Sequence, residues 1–171
     1  IKEPVLDSTI IFHQNKYWLF ATRKGSWSDQ QLHLYSADSL LGEYKPHPCN
    51  PLVDDISGAR PAGHIIRVDG DLYRPAQNSR YTYGGSITLQ KITRLDEQEY
   101  AETFYMNLSP DRSRKENAGI YGFHTINAAG KWVVADGTVW RFSLLLKFRQ
   151  WALKFGGSRK NNQIKKEALT G

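Results

Sequence analysis

The chain has 171 residues, of which 40% are hydrophobic and 23% are charged, and its formal net charge is +6. This length and composition are typical of a folded domain with its own core and not of a disordered chain. No run of about eighteen apolar residues is present, so the sequence predicts no membrane-spanning helix. Cys49 is the single cysteine, which excludes an intrachain disulfide and a cysteine-based metal site.

The basic charge is concentrated at the C-terminal end. Residues 139–171 hold eight lysines and arginines against one glutamate, a net charge of +7, which leaves −1 for residues 1–138. A protein that neutralises many phosphates carries its cations on the binding face. The nearly neutral body therefore argues against nucleic acid as a partner.

In chain order, the body begins with a hairpin pattern that returns twice. Residues 9–22 read as a strand, a polar turn and a second strand, rich in β-branched and aromatic side chains. The pattern recurs at 64–74 and, more weakly, at 124–134. Equivalent positions, separated by 55 and 60 residues, are Tyr17, Leu72 and Trp132. The strand aromatics, Trp132 among them, are predicted to be chiefly core between packed sheets.

The segments between the hairpins also correspond, because residues 32–35 match residues 87–90 at an offset of 55. Four-stranded units that recur at this length are typical of propeller blades, with a β-sandwich as the alternative. The sequence therefore predicts an all-β domain over residues 1–138 that holds about two and a half to three blades. Such a stack would leave its terminal sheets uncovered. Together with a first residue that is not Met, this predicts the C-terminal part of a larger propeller.

Several stretches resemble known glycan-active propellers. Residues 3–22 resemble the blade opening of five-bladed glycosidase-type propellers, among them the arabinanase/xylosidase and invertase/levansucrase groups. A closer likeness is to the N-terminal domain of plant glucosamine inositolphosphorylceramide transferase and its bacterial relatives. It covers about residues 3–137 and is most specific over 32–84. It is carried by residues 32–42, by Pro46-His47-Pro48 with Asn50-Pro51, by Ala59-Arg60-Pro61-Ala62-Gly63, and by residues 72–78 with Tyr83-Gly84.

The resemblance implies a partial five-bladed propeller that acts in assembly or modification of a surface polysaccharide or glycolipid. It implies a carbohydrate, nucleotide-sugar or glycolipid partner, with sugar bound in the central funnel. One alternative is a glycoside hydrolase or transglycosidase of the furanosidase-like type, whose second carboxylate would come from other blades. The other is a non-catalytic protein-interaction scaffold. Whether the domain is an enzyme stays open; an enzymatic role would be glycosyl transfer or glycoside hydrolysis.

Eight residues are candidates for the site, counting Glu3. Asp7 is the candidate catalytic residue, since it begins an inner strand and glycoside hydrolysis uses paired carboxylates; Glu3, before the strand, could be its partner. Arg60 offers a planar fork for a carboxylate or phosphate, and His124 could bind a hydroxyl or take part in proton transfer. Hydrogen-bonding and aromatic groups suited to a sugar are Arg74, Gln77, Asn78 and Tyr83.

Each candidate also has a structural interpretation. Asp7 could cap its strand, Arg60 could pair with the acidic loop at residues 54–55, and the remaining groups could join blades by hydrogen bonds. Asp136-Gly137 is predicted to be a hairpin turn. No His or carboxylate pair has metal-ligand spacing, so the sequence predicts no metal and no cofactor.

The tail is predicted to be separate from the propeller. Residues 139–155 form an amphipathic pattern that ends at Gly156-Gly157, with Trp140, Leu144, Phe148 and Trp151 on one helical face. Such a cationic helix could lie on an anionic membrane surface, or it could pack against the propeller. Residues 156–171 are predicted to be a flexible basic tail. The predicted location is cytoplasmic, with peripheral membrane attachment under the first alternative.

Overall fold

The computed structural model describes residue 1 and residues 3–25, 30–111 and 119–139, which belong to one compact unit, Ile1–Val139. Every regular element in these ranges is a β-strand, as the sequence predicts. The same ranges contain no helix that is long and apolar enough to cross a membrane. The predicted helix over 139–155 and the predicted tail over 156–171 lie outside the described residues, except for Val139, which ends the last strand.

The first sheet is an antiparallel meander followed by a short return strand. A two-residue turn of Gln14 and Asn15 joins its first two strands, and both residues have positive φ (51° and 59°), as a type I′ turn requires. The strands are β1 (Val5–His13), β2 (Lys16–Arg23), β3 (Gln31–Ala37) and β4 (Lys45–Pro46), paired in that order, with β5 (Val53–Asp54) also pairing with β3.

The second sheet repeats the first. Asp69 and Gly70 form its first turn, again with positive φ at both positions (50° and 89°). Tyr17 pairs with Ala37 in the first sheet and Leu72 pairs with Ile92 in the second, so the predicted offset of 55 is confirmed at this position. The strands, paired in chain order, are β6 (Ile66–Val68), β7 (Asp71–Asn78), β8 (Ser86–Leu95) and β9 (Tyr100–Leu108).

The third copy is a hairpin flanked by a small two-stranded sheet. The hairpin is β11 (Ile126–Ala129) with β12 (Trp132–Ala135); the small sheet is β10 (Ile120–Gly122) with β13 (Thr138–Val139). The pair that closes the hairpin is Ala129 with Trp132, equivalent to His13 with Lys16 and to Val68 with Asp71.

Trp132 therefore matches Lys16 and Asp71, and the predicted spacing of 60 was one residue short. All four residues of β12 are exposed, so side chains on both faces of this strand lie at the surface among the described residues. The side chain of Trp132 is 70% exposed, and its prediction as core was wrong.

The main core lies between the first and second sheets. Trp18, Phe20, Leu32 and Leu34 of the first sheet pack in one cluster with Leu72, Ile92 and Leu95 of the second. Each fully buried side chain of this size contributes about 1.5–3 kcal/mol relative to its exposed state. Alternate residues of the first sheet form a second cluster that includes Leu19, Ala21 and Tyr35. The described sheets thus stack face to face without closing into a ring.

Candidate functional site

Asp7 lies at an irregularity in the first strand. The pairing of β1 with β2 shifts between Leu6 and Thr9, and Asp7 has a φ of 49°. Positive φ is uncommon for residues other than glycine, although aspartate and asparagine tolerate it better than most. The carboxylate of Asp7 reaches two residues of the second repeat, Arg60 and Gln77.

Arg60 and Gln77 both donate to the same carboxylate oxygen. Arg60 Nε forms an ion pair with Asp7 Oδ2, with side chains 13% and 33% exposed. Gln77 Nε2 donates to Asp7 Oδ2 at 3.2 Å and to the carbonyl oxygen of Pro61 at 3.1 Å. Because both neighbours are acceptors, the amide nitrogen must face them. Gln77 is completely buried, and its Oε1 has no hydrogen-bond partner within the described ranges.

The chain of contacts continues from Arg60 to the third repeat. The guanidinium carbon of Arg60 lies 5.2 Å from the ring centroid of Tyr83, which is cation–π geometry. The hydroxyl of Tyr83 is 2.5 Å from His124 Nε2, and the two ring centroids are 5.1 Å apart. We refer to these connected side chains as the Asp7 cluster: Asp7, Arg60, Gln77, Tyr83 and His124.

Asp136 holds the histidine in place. Its Oδ1 accepts the backbone N–H groups of His124 and Thr125 at 2.9 and 2.6 Å. Its Oδ2 lies 3.6 Å from His124 Nδ1. A carboxylate on that side favours the tautomer with the proton on Nδ1. In this tautomer, Nε2 is free to accept the hydroxyl proton of Tyr83.

Close backbone approaches bring the third repeat to the second. The position that a Cβ of Gly122 would occupy is already filled by the carbonyl oxygen of Gly84, next to Tyr83. The backbone N–H of Ile126 donates to the carbonyl oxygen of Ala62 at 2.8 Å. The carbonyl oxygen of Gly84 leaves no room for a side chain at Gly122, so glycine is required there. Together these contacts place His124 within hydrogen-bonding reach of Tyr83.

The cluster is suited to a hydroxyl-rich ligand. Tyr83 is 54% exposed and presents an aromatic face, while the neighbouring charged and polar groups can donate and accept hydrogen bonds. Small-molecule sites commonly combine apolar or aromatic walls with a few convergent polar groups. The described residues contain no group of three or more His, Cys, Asp or Glu side chains that could hold a metal ion.

Arg74, a predicted substrate-binding residue, does not belong to the cluster. Its side chain is completely buried. Its Nε and Nη2 donate to the two carboxylate oxygens of Glu102 at 2.8 and 2.6 Å, and Nη2 also donates to the carbonyl oxygen of Gly58 at 2.7 Å. Burial acts to lower the pKa of Arg74, but the charge of Glu102 outweighs it and the pKa is raised. The structure thus places Arg74 in a buried ion pair with Glu102.

Asn78 and Glu3 also lie apart from the cluster. Asn78 Oδ1 accepts the backbone N–H of Arg80 at 3.2 Å, which stabilises the turn after β7. Glu3 accepts a hydrogen bond from the hydroxyl of Tyr35 at 2.5 Å and forms an ion pair with Arg23. Tyr35 and then Arg23 lower the pKa of Glu3 against the opposing effect of burial.

Asp136 is the contributor that the sequence analysis missed. It was interpreted as a turn residue because Asp-Gly is a common turn pair. Its carboxylate instead binds the backbone at His124 and Thr125, residues 12 and 11 positions earlier. Nothing in the local pattern marks that contact, because it depends on how two connecting segments of the third repeat meet.

Repeated antiparallel sheets, stacked face to face and joined by a polar cluster, define an all-β module with a candidate ligand site. The family model described as glucosamine inositolphosphorylceramide transferase 1, N-terminal, matches residues 1–137. The chain belongs to this family, which confirms the resemblance found in the sequence.

Curated relatives agree with this assignment. Glucosamine inositolphosphorylceramide transferase 1 of Oryza sativa subsp. japonica is 35% identical over 149 residues, which cover 80% of this chain and 20% of that protein. The protein of the same name from Arabidopsis thaliana is 38% identical over 120 residues, which cover 67% of this chain and 16% of that protein. The chain thus spans a fifth or less of the length of these two relatives.

A solved structure is also similar in part. The GH43 β-xylosidase/α-arabinofuranosidase CoXyl43 from a compost microbial metagenome, in its calcium-free complex with xylotriose, shares 17% identity with the chain. The match covers 60% of this chain and 35% of that one, with a TM-score of 0.34. At this score the likeness carries no argument about the fold or the site.

Proposed function

We propose that the domain handles glycan in the assembly or modification of a glycolipid or surface polysaccharide, and that it binds sugar at the Asp7 cluster. The observation that carries the proposal is the contact chain from Asp7 through Arg60 and Tyr83 to His124. It joins three successive repeats at one partly exposed place. The relatives' name supplies the ligand class, since it specifies glucosamine and inositolphosphorylceramide.

The architecture that would present this site is a five-bladed propeller, of which the first sheet, the second sheet and the third hairpin are consecutive blades. The shared offset of 55 and the face-to-face packing of the sheets support this architecture. Asp7 lies on the first strand of its sheet, and Arg60 precedes the first strand of the next. We propose that these first strands line the central funnel.

The hydrogen bonding of the cluster favours binding over hydrolysis. Glycoside hydrolysis ordinarily uses two carboxylates, one acting as the acid and one as the base or nucleophile. Asp7 Oδ2 already accepts hydrogen bonds from Arg60 and Gln77. Asp136 Oδ1 accepts two backbone N–H groups. Both carboxylates are thus engaged in holding the cluster together, which suits a preorganised binding surface.

Calorimetric titration of the full chain tests the proposal. The probes are glucosamine, inositol 1-phosphate, and bilayer nanodiscs that contain inositolphosphorylceramide. We expect at least one probe to bind, and we expect Asp7→Asn to weaken that binding about tenfold or more, since hydrogen bonds to charged groups contribute about 1.5–3 kcal/mol. Asparagine tolerates the positive φ at this position, so the substitution removes charge with little backbone strain.

Tyr83→Phe and Tyr105→Phe form the matched control pair. Both tyrosines are about half exposed (54% and 53%), but Tyr83 is the one whose hydroxyl contacts His124. We expect weaker binding for Tyr83→Phe and unchanged binding for Tyr105→Phe. Failure of all three probes to bind the folded chain would contradict the proposal. Release of nitrophenol from a nitrophenyl glycoside panel that depends on Asp7 would favour the glycosidase alternative.

A further inference from the structure

A second cleft lies on the other side of β7. It has a volume of about 710 Å3 and is bounded by residues after β3 of the first sheet and by strands β8 and β9 of the second. Gln77 contacts Asp7, whereas the adjacent Asn78 lines this cleft. Because neighbouring strand residues project to opposite faces, the cleft and the Asp7 cluster are separate places on the molecule.

Two exposed aromatic side chains line the cleft. Tyr81 is 93% exposed and Phe104 is 64% exposed. Aromatic groups of this kind are normally buried or paired because their ring faces are apolar. Within one cleft they offer surfaces on which the C–H faces of sugar rings can stack.

Side-chain amides surround these rings with unused donors. Asn78 Oδ1 accepts from the backbone of Arg80 at 3.2 Å, and Asn107 Oδ1 accepts from the hydroxyl of Ser86 at 2.9 Å. These contacts leave the NH2 group of each asparagine available to a ligand oxygen. The amide of Gln90 lines the same cleft.

The acidic groups of the cleft are committed to protein partners. Glu102 is bound by Arg74 and by the hydroxyl of Tyr100. Asp55 accepts the backbone N–H and the hydroxyl of Ser57 at 2.9 and 2.6 Å. Arg80 is the one cation among the described residues that line the cleft. The cleft therefore lacks the concentration of cations that a polyphosphate needs and presents mostly neutral hydrogen-bonding groups.

We propose that this cleft is a second carbohydrate-binding site, which takes a neutral oligosaccharide stacked on Tyr81 and Phe104. Its volume is within the range of about 300–1,000 Å3 that is usual for small-molecule sites, so an oligosaccharide of about two or three sugars matches it. The amides of Asn78 and Asn107 donate to the sugar hydroxyls. The inference goes beyond the proposed function, because it assigns a glycan contact away from the Asp7 cluster.

Saturation-transfer NMR on the full chain tests this site with four neutral trisaccharides: chitotriose, cellotriose, maltotriose and xylotriose. We expect one or more to bind, and we expect Phe104→Ala and Tyr81→Ala each to weaken binding about threefold to tenfold, the range for loss of an aromatic contact. Tyr105→Ala is the control, since Tyr105 is an exposed aromatic of the same strand whose ring packs 4.9 Å from that of Tyr73 and does not line the cleft. Binding to Tyr105→Ala should match that of the unmodified chain.

Asp7→Asn separates the two proposals. If the cleft is an independent site, trisaccharide binding persists in this variant even though binding at the Asp7 cluster is weakened. The inference is overturned if no trisaccharide binds the folded chain. It is equally overturned if both aromatic variants, with unfolding midpoints like that of the unmodified chain, retain full binding. Loss of trisaccharide binding in Asp7→Asn together with full binding in Phe104→Ala would assign the glycan to the Asp7 cluster alone.

Discussion

The guanidinium of Arg74 is a full positive charge without solvent access, balanced by the carboxylate of Glu102. Tyr100 donates a further hydrogen bond to that carboxylate. Removing one partner of a buried ion pair is much more destabilising than removing both, because the remaining charge stays buried without compensation. The stability of the second sheet therefore depends on Glu102.

We expect Glu102→Gln to lower the free energy of unfolding by about 3–5 kcal/mol, the usual range for such losses. The double variant Arg74→Met/Glu102→Met should lose less than the single variant. Asp38→Asn is the control, since it removes an exposed ion pair with Lys16 and should cost less than about 1 kcal/mol. Urea unfolding measures all three, and equal losses for Glu102→Gln and Asp38→Asn would contradict this role of Glu102.

Glu3 predicts a defined pH dependence. Its pKa is lowered in the folded protein, chiefly by the hydroxyl of Tyr35, so the folded state holds this proton less tightly than the unfolded chain does. The resulting stabilisation is complete above the ordinary glutamate pKa of about 4.3 and is lost as the pH falls through the lowered value. We expect Glu3→Gln to lower the free energy of unfolding near neutral pH. Between about pH 4.5 and pH 3, the variant should lose less of that free energy than the unmodified chain does.

Thermal unfolding across that pH range checks this expectation. Glu43→Gln is the control, since Glu43 is a glutamate of the same unit that is exposed at the surface. Parallel pH curves for Glu3→Gln and the unmodified chain would rule out a contribution from Glu3.

At this scale the sequence predicted the members of the Asp7 cluster better than it predicted their surroundings. Asp7, Arg60, Gln77, Tyr83 and His124 were all named as candidates, and the structure brings them together. The sequence did not show that Arg74 pairs with Glu102, which lies 28 residues later on β9. That contact depends on how the strands of the second sheet pair.

At the scale of elements, the third hairpin meets the second sheet through Gly63. This residue has a φ of 127°, and a Cβ there would overlap the carbonyl oxygen of Ile126. We expect Gly63→Ala to destabilise the protein by more than about 1 kcal/mol, because alanine is strained at this φ and the neighbouring atom belongs to the backbone. Hydrogen exchange at the amide of Ile126, which donates to Ala62, should become faster.

Gly25→Ala is the matched control, because nothing lies within 4 Å of the position its Cβ would occupy. We expect unchanged exchange at Ile126 in that variant. Similar effects of the two substitutions would show that Gly63 does not secure the hairpin.

The hairpins themselves were readable from the sequence because turn residues and strand residues differ in chemistry. The Asp69-Gly70 pair suits a type I′ turn, in which both residues have positive φ. In the third copy, Gly130 alone of the two turn residues has positive φ (56°), as in a type II′ turn. The repeat was therefore detected there, but its register was not, since the match rested on hydrophobic character, which Trp132, Val133 and Val134 share at three successive positions.

At the scale of the whole molecule, the charge distribution predicts an electrostatic contact with anionic lipid. Residues 139–171 carry +7 and residues 1–138 carry −1. Basic residues near an anionic bilayer contribute about 1 kcal/mol each. Replacing Lys147, Arg149 and Lys154 by glutamine in the full chain should therefore weaken vesicle binding by about two orders of magnitude.

Co-sedimentation with phosphatidylserine-containing vesicles measures this binding, and vesicles of phosphatidylcholine alone are the control. Binding should also fall as salt is raised, because exposed charges are screened within about 10 Å at 0.1 M. Equal, salt-insensitive recovery of both proteins in the supernatant would contradict membrane attachment, and with it the prediction of a peripheral location.

The ion pair between Asp7 and Arg60 joins residues 53 positions apart and belongs to two different repeats. Each partner is partly buried. A substitution that removes one charge therefore leaves the other unpaired and poorly solvated. Positions 7 and 60 should therefore change together among descendants of a common ancestor, either both retained or both neutralised. The two repeats are therefore not interchangeable, since each carries half of an ion pair that its neighbour completes.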